Sequence, residues 1–400
     1  MVVTTVLQYP NPAGPPPALS PTAGPEAPPA AGPLRTFGVE EELLLVDAET
    51  LDPLAVSRLV VRRHAERVRG RAPAPRHQVT TELQQEQLEV AGPPVTRLAD
   101  QITAIRRGRA LADAAAREVG ARVVALASPV STALPHLVPE PRYRRIQERF
   151  GLIAAEQLTC GFHVHVGVAG PDEGVAVLDR IRLWLPVVLG LSANSPFWYG
   201  RETGFSSFRY QAWLRWPTAG PTERFGSAEE YERRCAALLR SGVPLDRGML
   251  YFDARLSARF PTVEVRIADV CLDAEHAGVL AALVRALVET AARQWRAGLP
   301  AAPVGAAQLS AWTWQASMAG PDGPLVSPAS QAPAPAGEVV AELLEHVRPA
   351  LAASGEQQHV ESVVASVLRD GSGARRQREA RAARGEPRDV VHAAVAATHR

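Results

Sequence analysis

The stretch CGFHVHVGV, residues 160–168, alternates apolar and polar side chains with the two-residue period of a β-strand. His163 and His165 fall on one side, and Phe162, Val164 and Val166 on the other. A strand with one apolar face belongs to a sheet that packs on a core from that side only. The same rule, carried outward, finds three companions. In GVEEE (38–42), Glu40 and Glu42 share a side, while Glu41 projects the opposite way, in line with Val39 and Leu43. In TVEVRI (262–267), Glu264 and Arg266 share a side against Val263, Val265 and Ile267. In YFDAR (251–255), the rule puts Asp253 and Arg255 together. Four strands thus offer acids, imidazoles and guanidiniums on one side, which predicts a sheet lining a polar basin.

Any one of these strands is equally an ordinary strand with one solvated face. The two imidazoles flanking Val164 tip the balance, because a solvated strand has no special need of histidine. Carboxylates crowded in a basin repel one another unless cations intervene, and hard divalent ions such as Mg²⁺ supply that charge. The spacing alone leaves Zn²⁺ open. Guanidiniums in such a basin suit phosphate or carboxylate oxygens through their planar fork.

Composition bounds the rest. A chain of 400 residues, 46% hydrophobic and 21% charged, can bury a large core. Its formal net charge of +1 calls for no polyanionic partner, so neither nucleic acid nor an acidic membrane is expected. All 43 basic residues are arginine, which excludes a phosphate-loop lysine, a cofactor Schiff base and a lysine general base. Cys160, Cys235 and Cys271 are too few and too far apart for a disulfide framework or zinc knuckle, and a reducing cytoplasm is the simplest setting. No basic segment leads into a long apolar run, so neither export nor membrane spanning is expected.

Residues 1–34 hold ten prolines among Ala and Gly and predict a disordered tail. Ordered structure is expected from about Arg35, the length allows two to three domains, and the part from 300 to 395 is expected to be mostly helical. Helices are predicted over about 98–120, through VLDRIRLWLPVVLGLSAN (177–194), from Ser227, over 274–296, and over 336–354, 357–369 and 373–395. The segment TELQQEQLEV (81–90) is acidic and amphipathic, and the aromatic stretch 195–221 reads as an ordered loop. Strands without a βαβ rhythm or Gly-rich loop predict an α+β fold: antiparallel strands, helices on one side, an open polar basin on the other.

GVEEE (38–42), CGFHVHVGV (160–168), LSANSPFWYGRETGFSSFRYQAW (191–213), YFDAR (251–255), PTVEVRIADVC (261–271) and GSGARRQR (371–378), taken in order, resemble the carboxylate-amine ligase family, the glutamate-cysteine ligases of type 2. The resemblance runs from about Phe37 to Arg388. It implies a single catalytic domain over residues 35–395 with a glutamine synthetase/guanido kinase-like catalytic fold, built on a curved antiparallel sheet. It also implies ATP-dependent joining of L-glutamate to L-cysteine through an acyl phosphate, with weak activity of that kind. ATP with Mg²⁺, or Mn²⁺ in its place, would be the cofactors, small amino-acid carboxylates and amines the partners, and a homodimer is allowed. No step needs a lysine or an enzyme nucleophile.

The resemblance carries Glu40, Glu42, Glu89, His163 and Glu264 over as metal-site residues, with Glu82 and Glu86 as weaker choices beside Glu89. His165 is assigned a nucleotide or phosphate contact. Arg266 and Arg255 are assigned to phosphate or substrate oxygens as catalytic groups, with Arg266 also on the nucleotide, and Arg209 to a substrate carboxylate or, equally simply, to a loop-anchoring ion pair. Two departures stand out: ASPV (127–130) replaces a Thr-His-Pro element, and WQASMAG (314–320) places Gln315 and Met318 where the family carries arginines. They keep alive a non-catalytic, nucleotide-binding or assembly role. The related fold keeps alive a guanidino phosphotransferase.

Overall fold

The computed structural model describes residues 33–70 and 77–400. The tail expected over residues 1–34 falls, but for its last two residues, outside the described residues. In chain order the elements are β1 (Phe37–Asp47), α1 (Ser57–Val68), β2 (Gln78–Thr81), β3 (Gln87–Ala91), α2 (Leu98–Arg117), β4 (Ala121–Val124), α3 (Pro141–Phe150), α4 (Leu152–Ala155) and β5 (Gly161–Gly167). Then come α5 (Pro171–Ile181), α6 (Leu185–Ser192), a short pair β6 (Phe197–Trp198) and β7 (Arg201–Glu202), α7 (Phe208–Trp213), α8 (Ala228–Arg240), β8 (Ala254–Leu256), β9 (Thr262–Asp269) and α9 (Ala274–Arg296). The remainder is α10 (Ala306–Ala319), a short pair β10 (Pro324–Val326) and β11 (Pro333–Pro335), α11 (Ala336–Ser354), α12 (Gln357–Asp370), α13 (Gly373–Arg384) and α14 (Pro387–Thr398).

The main sheet is antiparallel throughout, in the order β2-β3-β1-β5-β9-β8, with β4 added beside β1. Strand β5 pairs with the first half of β1 and β4 with Leu44–Asp47. That division explains the sequence of β1. FGVEE alternates because its half of the strand is covered on one face, whereas Leu43–Val46 are buried at every position. They pack with Val60 of α1, alanines of α2 and valines of α14.

On the apolar face of the first half, Phe37, Val39, Phe162, Val164, Val166, Val263, Val265 and Ile267 join α5, α6, α9, α11 and α12 in one core. Each fully buried Val or Ile contributes about 1.5–3 kcal/mol. The central helix α9 is rich in alanine and leucine, good helix formers, and is capped by Asp273, whose Oδ1 accepts from the Glu275 and His276 amides at 2.8 and 3.3 Å. Gly278 lets it cross α2 closely, since a Cβ there would stand 2.4 Å from Ile102 Cγ1.

One charge sits on the apolar side. Glu41 is met by Arg109 of α2, Nε to Oε2 at 3.0 Å and Nη2 to Oε1 at 2.7 Å, with 3% and 1% of the side chains exposed. The same guanidinium donates to the Cys271 and Leu272 carbonyls, both at 2.7 Å, and to Thr398 O at 3.3 Å. A buried pair whose remaining donors are all used is held in place, and removing one partner is costly.

TELQQEQLEV supplies the end of β2, the turn that follows and all of β3 but Ala91, with Gln84, Glu86 and Gln87 buried despite their polarity. Two sequence expectations change. The helix expected over 177–194 is two, α5 and α6, parted at Arg182–Trp184 just before Pro186. The helix expected over 373–395 breaks between α13 and α14, where Gly385 adopts φ +88° and Pro387 opens the next helix.

Candidate active site

Register assembles the polar face. Glu42 lies opposite Glu89, Glu40 opposite His163, His165 opposite Glu264, and Glu264 opposite Arg255. Directly paired residues point to one face, so five strands contribute one continuous row. A register irregularity between Phe162 and Val164 kinks β5 at His163. The row floors a cavity of about 690 Å³, walled by Tyr143, Trp213, Trp216 and Tyr251 and rimmed by Arg259 and Phe260. A second cavity of about 710 Å³ beside α5 is as large, but Asp179 in its wall is spent on the Phe225 and Gly226 amides and no imidazole lines it.

At the centre, Glu40, His163 and Glu264 each place one ligand atom within 4.8 Å of the others. His163 Nδ1 is 3.5 Å from Glu40 Oε2, its Nε2 is 3.7 Å from Glu42 Oε1, and His165 Nε2 is 3.4 Å from Glu40 Oε1. Burial would raise the Glu40 carboxyl, but His163 and His165 outweigh it and hold it far below the usual range. Burial, helped by the charge of Arg266, lowers His163, so the imidazole is neutral near pH 7. An ionised carboxylate beside a neutral imidazole is the protonation state a metal ligand needs.

The outer acids behave in the opposite way. Burial in the recess pushes Glu82 up to about 7, with the charge of Glu42 adding to it. It raises Glu89 well above the carboxylate range, with Glu82, Glu40 and Glu42 pushing in the same direction. Glu264 is different again: burial acts to raise it, but Arg266 and Arg255 hold it low. The donor set, carboxylates with one imidazole and surplus negative charge, fits a hard divalent cation such as Mg²⁺ or Mn²⁺.

The guanidiniums divide by whether their donors are free. Arg255 is spent: Nε and Nη2 bind Glu264 at 2.8 and 3.1 Å, and Nη1 reaches the Gly248 and Leu250 carbonyls, each at 3.0 Å. Arg266 holds Glu264 and approaches His163 through Nη1, yet its buried Nε has no partner. His165 Nε2 also lacks a hydrogen-bond partner among the described residues. These two nitrogens, with the equally unpartnered Nε1 of Trp216 on the cavity wall, are nitrogens a ligand oxygen can meet.

Arg209 is not on this surface. It is 2% exposed, and its Nη1 and Nη2 donate to the Ile267 and Arg266 carbonyls at 3.0 and 3.2 Å, with Asp269 at 3.8 Å. A Cβ at Gly161 would lie 2.3 Å from its Nη2, so the glycine makes room for it. These contacts, with Asp269 nearby, fit the loop-anchoring alternative for Arg209, although its buried Nε has no hydrogen-bond partner among the described residues. The placement of Asp253 is corrected, for β8 begins only at Ala254 and the Asp253 carboxylate accepts from the Tyr210 hydroxyl instead. Glu86 is turned away on His136, whereas Glu82, the other weaker choice, lines the cavity. Gln315 bonds the Pro324 carbonyl, and neither it nor Met318 lines the cavity. The cysteines are free and buried, and burial pushes the Cys160 thiol far up, so none is poised as a nucleophile.

Just beyond the end of α6, Asn194 and Ser195 build a buried network. Asp269 accepts from the Asn194 amide and from the Ser195 and Ser207 hydroxyls at 2.9, 2.7 and 2.8 Å, and Gln377 of α13 donates to Asn194 Oδ1 at 2.7 Å. The motif GSGARRQR thus buttresses β9 from outside the cavity. No helix among the described residues is long and apolar enough to cross a membrane.

Comparison with known proteins follows the same lines. A protein of Paenarthrobacter aurescens named "Putative glutamate--cysteine ligase 2-1" is 51% identical over 368 residues, covering 92% of this chain and 95% of its own. The crystal structure of a glutamate–cysteine ligase from Francisella tularensis in complex with AMP shares the fold at a TM-score of 0.62 and 13% identity, covering 92% of this chain and 89% of that one. A bifunctional glutathione synthetase from Pasteurella multocida does so at 0.59 and 14%, the match spanning 91% of this chain and 52% of the larger enzyme. The family and the acid–imidazole cluster together support an ATP-dependent carboxylate–amine ligase. Residues 36–396 match glutamate-cysteine ligase family 2, and the chain belongs to that family.

Proposed function

We propose that this protein joins the side-chain carboxylate of L-glutamate to the amine of L-cysteine, converting ATP to ADP and phosphate. The observation that carries the reading is the Glu40–His163–Glu264 cluster at the floor of the 690 Å³ cavity, with unpartnered donors of Arg266 and His165 beside it. A divalent cation, when bound, would neutralise triphosphate oxygens there. Glu40, His163 and Glu264, with Glu42 and Glu89, would hold it.

In the first step a substrate carboxylate oxygen attacks the γ-phosphorus and the bond to the ADP oxygen breaks. In the second, the amine nitrogen attacks the acyl carbon, phosphate leaves and the amine gives up a proton. Both steps place charge on oxygens, so positioned donors do most of the work. Arg266 Nε and His165 Nε2 meet phosphate oxygens. Arg255 acts through Glu264, fixing its carboxylate. Arg209 does not line the cavity, and Arg259 on the rim is the guanidinium offered to a substrate carboxylate.

ADP release should require an acid, an amine and a divalent cation together, and the product mass should equal both substrates less water. Glu40→Gln should lower turnover about 100-fold or more while the chain still folds, because Glu40 is part-exposed and glutamine keeps a side-chain oxygen for His163 and His165. A panel crossing carboxylates with amines, followed by mass spectrometry, tests the reading. ADP formed without any condensed product would instead favour a phosphotransferase, and tight MgATP binding without turnover a binding protein.

A further inference from the structure

Beyond the C-terminal end of β9 lies a separate cavity of about 310 Å³, whose charged lining is Asp273, Glu275, His276, Asp370, Arg376 and Arg400. None of these residues lines the recess described above. Its size stands at the lower end of small-ligand pockets, about 300–1,000 Å³. Gly373 brings its wall into place. A Cβ there would lie 2.2 Å from Asn194 Oδ1, so α13 starts directly on the turn after α6 and carries Arg376, one helical turn on, to the cavity.

The two guanidiniums are the unexplained groups. Neither Arg376 nor Arg400 has a side-chain hydrogen bond or ion pair among the described residues, although Arg376 is half-buried. Desolvation holds Arg376 below its ordinary value, and the like charge of Arg400 adds to this against the attraction of Asp273. Arginines brought together in this way lack a shared anion. The acids are placed differently. Asp273 is spent capping α9, Glu275 meets His359 at 3.0 Å, and Asp370 meets only its exposed neighbour Arg369 at 3.0 and 3.1 Å. Exposed pairs of this kind are weak and exchange readily for another cation. The His276 imidazole, pushed down to about 4 by burial, stays neutral and takes neither side.

The cavity thus has an anion-seeking pole and a cation-accepting pole. We propose that it binds a free zwitterionic amino acid, with the ligand's carboxylate on Arg376 and Arg400 and its ammonium on Glu275 and Asp370. The site is distinct from the recess that holds the reacting groups.

Calorimetric titration of the full-length protein with L-glutamate, L-cysteine and glycine, in chelator and without nucleotide, tests this. Acetate and methylamine serve as single-pole controls. One of the amino acids should give a saturable event that survives Glu40→Gln in the recess and weakens about tenfold or more in Arg376→Gln. Glu275→Gln, on the half-exposed rim, should weaken it as well and reads the same site if Arg376→Gln does not fold. The proposal is overturned if no event survives Glu40→Gln, or if neither lining variant weakens it. Acetate binding as tightly as the amino acids would also overturn it.

Discussion

The Asp253 carboxyl is buried against the Tyr210 hydroxyl, which lies 3.1 and 3.0 Å from its two oxygens, and burial pushes it up to about 7 despite that bond and the charge of Arg209. Its proton is held to higher pH in the folded chain than in the unfolded one, where the group titrates near 3.8. Between these values the folded state binds more protons. The contribution to stability is therefore fully present below pH 4 and is lost as pH rises toward 7. Asp253→Asn keeps an oxygen for Tyr210 and should remove a slope of at most about 1.4 kcal/mol per pH unit. Urea unfolding at pH 5, 6 and 7 measures it, and equal slopes in both proteins would refute the assignment. The same residue marks a limit of pattern reading. Alternation located Glu40, Glu42, His163, His165, Glu264 and Arg266, because each lies within a paired strand. It misplaced Asp253, one residue outside β8, and had no means of seeing that Nη1 and Nη2 of Arg209 are taken by backbone carbonyls.

At the scale of elements, Glu41–Arg109 pins α2 to the central strand. Arg109→Leu should destabilise the fold by about 3–5 kcal/mol by leaving Glu41 buried and unpaired. Replacing both, as Glu41→Met with Arg109→Leu, should recover most of that loss. Denaturant midpoints of the two variants and the parent measure it, and a double variant no better than the single would show that the carbonyl contacts of Arg109 dominate. Strands with one wet face and helices with apolar stripes were legible because burial imposes their period. The hairpin of β2 and β3 was not. Gln84 and Glu86 in its turn and Gln87 at the start of β3 are polar yet buried, held by the Ala154 carbonyl, His136 and the Thr159 carbonyl, partners far away in the chain. The breaks at Pro186 and Gly385 were present as residues, but apolar periodicity carried across them.

For the whole molecule, the match to the family begins at residue 36 and the described contacts from Leu34 to Arg400 form one unit. Deleting residues 1–32 should leave the melting temperature and kcat/KM within about twofold, since the segment has little apolar surface to contribute. A scan and steady-state assay of the truncated chain check this, and a collapsed transition would place the boundary elsewhere. The contacts of Arg109 bear also on synthesis. Glu41 and Arg109 leave the ribosome early, but the carbonyl acceptors of that guanidinium follow 162, 163 and 289 residues later. At roughly 5–20 residues per second, the last is translated about 15–60 s after Arg109. A nascent chain stalled before Cys271 would carry a guanidinium with its two inner-facing nitrogens short of acceptors, and that charge favours water over burial. Closing of the core around β1 is thus timed by translation, and the half-made protein is the species most in need of a chaperone.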